Sequence, residues 1–461
     1  MRILHAIHDF LPRHQAGSEI YAFELCREQS SRHHVSVLCA DRDPSREHGH
    51  VTWRVHEGLP VVEIANNWRC RSFEDTYRPP RITDQISHVL RAIQPDVIHV
   101  HSLLNLSFEL TAFARAQGVP VIATLHDYTL VCPSGGQRIH RDDHHICEVI
   151  DPDRCARCFR ESPDFALMSF GRVTAVTHAS PLLRRPAVAM ARHFPVLMSK
   201  VVNASRHAPL FAIDAADIER RLGAARQVFD DVDLFIAPSA FMADEFQRLG
   251  VPPSKIRVSD YGVATLSPKP REQRSGPLRI GYVGTLVWHK GVHVLLEALR
   301  ALPPDSFNAT VFGSFDVSPD YVAGLRAQAL GMPVEFSGPF DRQHLAEVYS
   351  QIDVLVVPSL WLENSPIVVH EAFMAGVPVV GARIGGIGGL IEEGRNGLLY
   401  DPASPAALSK ALQQLTVDPD RVSQLSEGAR ATRLKSIAED ARACETMYDD
   451  VVRERREGRT A

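Results

Sequence analysis

Short apolar runs rich in β-branched residues recur along the chain, most ending on polar or small residues and followed by a stretch of helical periodicity. Arg2 to Ile7, His34 to Cys39, Val97 to Val100, Val119 to Leu125 and Asp233 to Ala237 form a first set, with a further strand near Ile256. Leu278 to Val283, Ala309 to Phe312, Val334 to Phe336, Val354 to Val357, Val377 to Gly381 and Leu398 to Tyr400 form a second. Helical patterns at about Ile20 to Gln29, Phe108 to Gln117, Leu408 to Leu415 and Ser436 to Arg453 alternate with them. Such alternation predicts parallel strands joined by crossover helices, hence an α/β protein. Between the two sets lies SPKPREQRSGP, residues 267 to 277, whose proline, serine and charge read as an interdomain linker. A chain of 461 residues is too long for one core. The expected domains are 1–270 and 271–435, with a terminal helix and tail over 436–461.

The second set contains the most informative stretch, Asp353 to Gly389. Its strand ends at Pro358-Ser359, and Glu363-Asn364-Ser365-Pro366 leads into a helical segment that stops at Gly376. Ser365 suits an N-cap, Pro366 the first helical position and Gly376 the residue beyond the end. The amides at such a helix start, backed by the helix dipole, form a site for phosphate. Glu363 precedes that anion site and Glu371 lies inside the helix. In the first set, two strands end on His101-Ser102 and His126-Asp127, at the carboxyl edge where open α/β sheets bind ligands. The loop after the first strand, Phe10 to Glu19, lacks the G-x-G-x-x-G spacing of a nicotinamide-binding turn.

Glu363 and Glu371, followed by Ala-Phe-Met-Ala-Gly-Val-Pro-Val-Val, resemble the Glu-x7-Glu motif of the family 4 glycosyltransferases. The resemblance runs from Met1 to about Tyr448, apart from a divergent stretch near 133 to 230. It implies a GT-B fold: two Rossmann-like domains facing a cleft, with the last helix crossing back to the first domain. It implies a retaining transferase that moves a sugar from a nucleotide-sugar, a UDP- or GDP-sugar, to an acceptor, without a catalytic metal. On that resemblance Glu371 binds the ribose and Glu363 contacts the donor sugar. Lys290 in the loop Gly284 to Gly291, with amides near Asn364, Ser365, Pro366 and Ile367, holds the diphosphate, and the strand ending at Gly338 lies beside the base. His126 faces donor and acceptor, and Gly17, Ser18, His101 and Asp127 line the acceptor side. Three positions depart from the pattern. Ala16 stands where the family has the first of two glycines, Thr285 where it has a phosphate-binding arginine, and Gly389 near a usual acidic position. His289, another basic residue or the helix N-terminus at 365 to 367 is expected to compensate in part for Thr285.

Composition adds constraints. Lys plus Arg number 50 against 55 Asp plus Glu, a net charge of −5, so no nucleic-acid partner is implied. No apolar run is long enough to span a membrane, and His5, His8 and Asp9 make the first residues unlike a signal peptide. The expected compartment is cytoplasmic. Cys132, Cys147, Cys155 and Cys158, with the spacing C-x14-C-x7-C-x2-C, suggest one thiolate site for a structural zinc or an iron–sulfur cluster. Asp151-Pro152-Asp153 reads as a turn. Residues 182 to 202, with Arg184, Arg185, Arg192 and Lys200 among apolar residues, suit either a helix on the inner-membrane surface or a buried hairpin. The reading is therefore a glycosyltransferase using a glycan or lipid-linked acceptor, in cell-surface polysaccharide or glycoconjugate synthesis, cytoplasmic or peripheral on the cytoplasmic membrane face. Its rivals are a GT-B phosphorylase or epimerase and a non-catalytic sugar-nucleotide-binding scaffold.

Overall fold

The computed structural model describes residues 1–178, 201, 212–266 and 276–460. The basic, apolar stretch with Arg184, Arg185, Arg192 and Lys200 lies outside the described residues, as does most of the linker. Among the described residues no helix is long and apolar enough to cross a membrane.

The chain forms two compact units. The first comprises residues 1–238, 243–259 and 441–461, the second residues 239–242 and 260–440. The first holds strands β1 (Arg2–Ile7), β2 (His34–Asp41), β3 (Val51–His56), β4 (Leu59–Ala65), β5 (Val97–Val100), β6 (Val121–Thr124), β7 (Leu234–Ala237) and β8 (Ile256–Val258). They order as β3-β4-β2-β1-β5-β6-β7-β8. All pairs are parallel except the β3–β4 hairpin, which puts an antiparallel strand on one edge. The second unit holds β9 (Leu278–Val283), β10 (Phe307–Phe312), β11 (Val334–Gly338), β12 (Val354–Val357), β13 (Val379–Ala382) and β14 (Gly397–Tyr400). Their order is β11-β10-β9-β12-β13-β14, parallel throughout.

Each sheet therefore reverses its winding at one point, between β1 and β5 in the first and between β9 and β12 in the second. At such a point the connections leave in opposite directions and open a crevice at the carboxyl ends of the strands. The central strands β5, β6, β7, β12 and β13 are buried at every residue, as strands covered on both faces must be. That is why they read as continuous apolar runs rather than alternations.

The terminal helix Ile437–Thr460 is single and unbroken. From residue 441 on it belongs to the first unit. There Tyr448 is fully buried, and Glu445 and Arg455 pair with Arg32 and Asp233.

One loop glycine in the second unit is dictated by close backbone approach. Gly291 has φ +74°, and a Cβ there would stand 1.8 Å from the carbonyl oxygen of Pro358. Only hydrogen fits between the loop after β9 and the end of β12. Gly291→Ala should combine left-handed strain with that clash and cost at least about 2 kcal/mol. An unchanged denaturation midpoint in that variant would mean the two loops do not press together as described.

Candidate active site

In the second unit the two glutamates of the spaced pair lie beside the reversal point between β9 and β12. Glu363 is 2% exposed and Glu371 likewise 2%. A carboxylate so buried must be paired or hydrogen-bonded. Glu363 Oε1 accepts from Lys290 Nζ at 2.7 Å and from Ser359 Oγ at 2.6 Å. Lys290 also stands over the ring of Trp361, 5.1 Å from its centroid. Glu371 accepts from Arg342 Nη2 at 2.6 Å and from Tyr349 Oη at 3.2 Å. Burial and the adjacent Glu371 charge push the Tyr349 phenol well above its ordinary range, so it remains a donor. The structure thus brings Lys290 to Glu363, and it supplies a cation for Glu371 that the sequence reading did not single out. A basic residue on a 3-10 turn just after β11 leaves little sequence signal, because lone surface arginines are common.

The segment between the glutamates is held by Asp260. Its carboxylate accepts from Ser365 Oγ at 2.6 Å, from His370 Nε2 at 2.9 Å and from the Tyr261 amide at 2.8 Å. Asn364 Nδ2 donates to Tyr261 Oη at 2.8 Å, and its carbonyl accepts from Ser239 Oγ at 2.8 Å. This corrects one expectation. The helix is Ile367–Met374, its N-cap is Pro366 without a side-chain cap, and Ser365 gives its hydroxyl to Asp260 instead. Gly376, at φ +69°, does follow the helix end. Gly385 and Gly386 permit a close backbone approach. A Cβ on Gly386 would stand 1.6 Å from the Asn364 carbonyl oxygen, and one on Gly385 2.4 Å from that of Glu363. The Gly386 amide donates to the Glu363 carbonyl at 2.7 Å. The glycines hold the glutamate loop itself. Thr285 contributes its carbonyl, which accepts from Tyr282 Oη at 2.8 Å, and the His289 carbonyl accepts from the Leu360 amide at 2.9 Å. Gly284 follows β9 and Gly338 ends β11, both at positive φ.

In the first unit His101 and His126 come together at the ends of β5 and β6, joined by a 3.0 Å hydrogen bond. Both are kept neutral, and burial lowers His126 to about 3. Asp127 turns back on its own loop, accepting from the Thr129 amide at 2.7 Å, and burial raises its pKa. Gly17 begins the helix Gly17–Ser30, and Ser18 Oγ donates to Glu19. Glu19 pairs with His8 at 3.1 Å. Burial opposes charge on both groups, but the mutual hydrogen bond wins, raising His8 and lowering Glu19 to about 2. The sequence reading missed His8 and Glu19, although His8 stands one residue beyond β1.

The cysteines share a neighbourhood. Cys155 and Cys158 lie on the helix Pro152–Arg160, which Asp151 caps by accepting from the amides of Asp153 and Arg154, so Asp151-Pro152-Asp153 is a helix start and not a turn. Cys147 follows the antiparallel bridge Ile139–Ile146, and Cys158 Sγ lies 3.8 Å from the Ile139 carbonyl. Burial first, and then Cys132, Cys147 and Cys158, push Cys155 up to about 12. A closed zinc tetrahedron needs sulfurs about 3.8 Å apart. Among the described residues the one trio of candidate ligand atoms within 4.8 Å of one another is His5, His99 and His101, so the thiols as placed are grouped but open.

The chain is similar to known proteins in family and fold. Residues 16–159 match the family described as Glycosyltransferase Family 4, and residues 265–432 match Glycosyl transferases group 1. The chain is 28% identical over 263 residues to a glycogen synthase of Mycobacterium tuberculosis, covering 55% of this chain and 63% of that protein. The match thus spans somewhat less than two thirds of that relative's length. The fold resembles sucrose-phosphate synthase from Thermosynechococcus elongatus, with a TM-score of 0.66, 19% identity and 98% of each chain covered. It also resembles Anabaena HepE solved with UDP and glucose, with a TM-score of 0.64, 17% identity, and 97% of this chain and 100% of that one covered. These likenesses identify the fold as GT-B.

The Asp260–His370 pair has a defined pH dependence. Burial opposes charge on His370, yet the Asp260 hydrogen bond and charge outweigh it and raise its pKa. Burial would raise Asp260, but His370 and Ser365 outweigh it and lower its pKa. A raised histidine adds stability that is present below its ordinary value and lost as pH climbs through the folded one. The lowered carboxylate adds stability that is lost only in acid. Asp260→Asn should therefore lower the melting temperature more at about pH 6 than at about pH 9. Equal losses at both would show that His370 carries no charge there.

Proposed function

Because the chain belongs to the family 4 glycosyltransferases, we propose that it transfers a sugar from a nucleoside diphosphate sugar to an acceptor hydroxyl with retention of anomeric configuration. The observation that carries this reading is the pair of buried carboxylates, each already matched to a cation: Glu363 with Lys290 and Glu371 with Arg342. Preformed charge at a strand edge suits a ligand that carries both hydroxyls and phosphates. Glu371, oriented by Arg342 and Tyr349, accepts from ribose hydroxyls. Glu363 contacts the donor sugar. Lys290, with the amides of Ser365 and Ile367, receives the diphosphate as it departs, and Arg342 supplies positive charge that Thr285 does not. Fixed donors aimed at a developing charge lower the barrier without rearranging during the reaction. His126 contacts the reacting sugar or the acceptor.

HepE was solved with UDP and glucose, which makes a uridine diphosphate sugar the first donor to test and a guanosine one the second. A glycan or lipid-linked acceptor is the companion proposal. Release of nucleoside diphosphate from a donor supports the transferase. Tight binding with no turnover on any donor or acceptor would favour a sugar-nucleotide-binding scaffold.

Lys290→Ala and Glu371→Ala should each weaken donor binding by about 1.5 to 3 kcal/mol, the scale of a charge-assisted contact. His126→Ala should instead lower turnover more than donor affinity. Calorimetry with unchanged affinity in both charge variants would remove the pocket.

We further read Cys132, Cys147, Cys155 and Cys158 as ligands of one structural metal. Thiols whose burial and mutual repulsion raise their pKa gain most from a cation that takes them as thiolates. Zinc, iron and labile sulfide should be assayed in protein purified without chelator. Less than about one-tenth of an equivalent of each leaves this an ordinary thiol-bearing loop, against the roughly one equivalent expected of a structural site.

A further inference from the structure

Trp361 lies midway between Ser359 and Glu363 on the segment after β12 and is only 8% exposed. A buried indole ordinarily gives its N–H to an acceptor. Here Nε1 is enclosed without a hydrogen-bond partner among the described residues. Leucine or phenylalanine would fill the same apolar space and leave no donor unmet. What a tryptophan adds at this position is therefore its ring face.

That ring meets the loop after β9. Lys290 Nζ stands over it, 5.1 Å from the centroid, and the His289 ring meets it edge-on at 5.8 Å. The main chain fixes the two segments to each other, since the Leu360 amide donates to the His289 carbonyl at 2.9 Å. The Glu363 amide donates back to the Trp361 carbonyl at 2.8 Å, which sets ring and carboxylate on one turn. A lysine ammonium is a point charge on a flexible four-carbon stem, with three N–H groups. One of them is given to Glu363 Oε1 at 2.7 Å. The side chain keeps 27% exposure, so the charge is held yet reachable from solvent.

We infer that Trp361 is a positioning residue: its ring, together with Glu363, holds the Lys290 ammonium in the place where a donor diphosphate meets it. The diphosphate's presence there rests on the transferase reading, whereas the pairing of cation and ring rests on the distances above. Tryptophan is the aromatic residue that attracts a cation best, and the attraction strengthens where water is excluded. A stem ordered before the ligand arrives loses no further rotamer freedom when the diphosphate binds. A fixed ammonium also meets the charge developing on the leaving group without having to move.

Carbon-13 NMR of the full chain labelled at lysine reads the pairing without any ligand. The ring current above an indole shifts protons upfield. The Lys290 Cε protons, assigned with Lys290→Met, should therefore resonate upfield of those of the other lysines, and Trp361→Leu should return them to the ordinary position. UDP affinity by calorimetry should fall roughly 5- to 30-fold in Trp361→Leu, and about 2- to 5-fold in Trp361→Phe, which keeps a face that attracts cations less. A merely structural role would weaken UDP whatever residue stands at 290. In a Lys290→Met background Trp361→Leu should instead change UDP affinity by less than about 2-fold. Equal losses in the two backgrounds, or Lys290 protons at the ordinary position in the wild type, overturn the inference. If Trp361→Leu does not fold, Trp361→Phe carries the same cycle with its smaller loss. Failure of the transferase reading looks different: the Lys290 protons would lie upfield while neither UDP nor GDP binds, and the diphosphate role would fall with that reading.

Discussion

The carboxylate of Glu363 is the constraint around which the second unit is arranged. A buried anion without partners would cost several kcal/mol, so the chain has to bring donors to it. Lys290 arrives from the loop after β9 and Ser359 from the end of β12, the two strands that flank the reversal of the sheet. For these donors to reach, the loops must pack closer than side chains allow. Gly291 against Pro358 and Gly386 against Asn364 are the result. The position of one charge thus explains glycines on two separate loops.

Asp260 does comparable work for the residues that follow. By engaging Ser365, His370 and the Tyr261 amide, it fixes the approach to the helix Ile367–Met374 from outside. A proline N-cap is tolerable there because the preceding serine is already ordered. Two anchors, one at each end of a four-residue stretch, leave little freedom to the amides between them. Such preorganisation is what electrostatic catalysis requires.

Much of this was legible in the sequence. Strands β9 and β12 lie where the apolar runs put them, because strands buried on both faces advertise themselves. The spaced glutamates and Lys290 carried a motif dense enough to read. What was not legible depends on register and tertiary reach. Ser365 looked like a cap because a serine before a proline usually is one, and Asp260, 105 residues away in sequence, took its hydroxyl. Arg342 and Tyr349 partner Glu371 from a separate turn and helix whose local sequence says nothing of it. His5 and His99 could have been paired only by knowing that β1 and β5 are neighbours. The alternation His99-x-His101 was the one visible hint. For the cysteines the spacing showed the grouping but not how closely the sulfurs approach.

The terminal helix has a consequence for how the protein comes into being. Tyr448, Glu445 and Arg455 complete hydrogen bonds and ion pairs with residues of the first unit. Those partners leave the ribosome more than 200 residues before the helix does. At about 5 to 20 residues per second, the first sheet waits roughly 10 seconds or longer with Gln29 and His99 lacking their final partner. The second unit, whose segment from 260 to 440 is nearly continuous, can close in the meantime. Order of synthesis and order of completion are therefore reversed. The part of the chain made first is the last to be finished, and a fragment ending before residue 441 would never finish it.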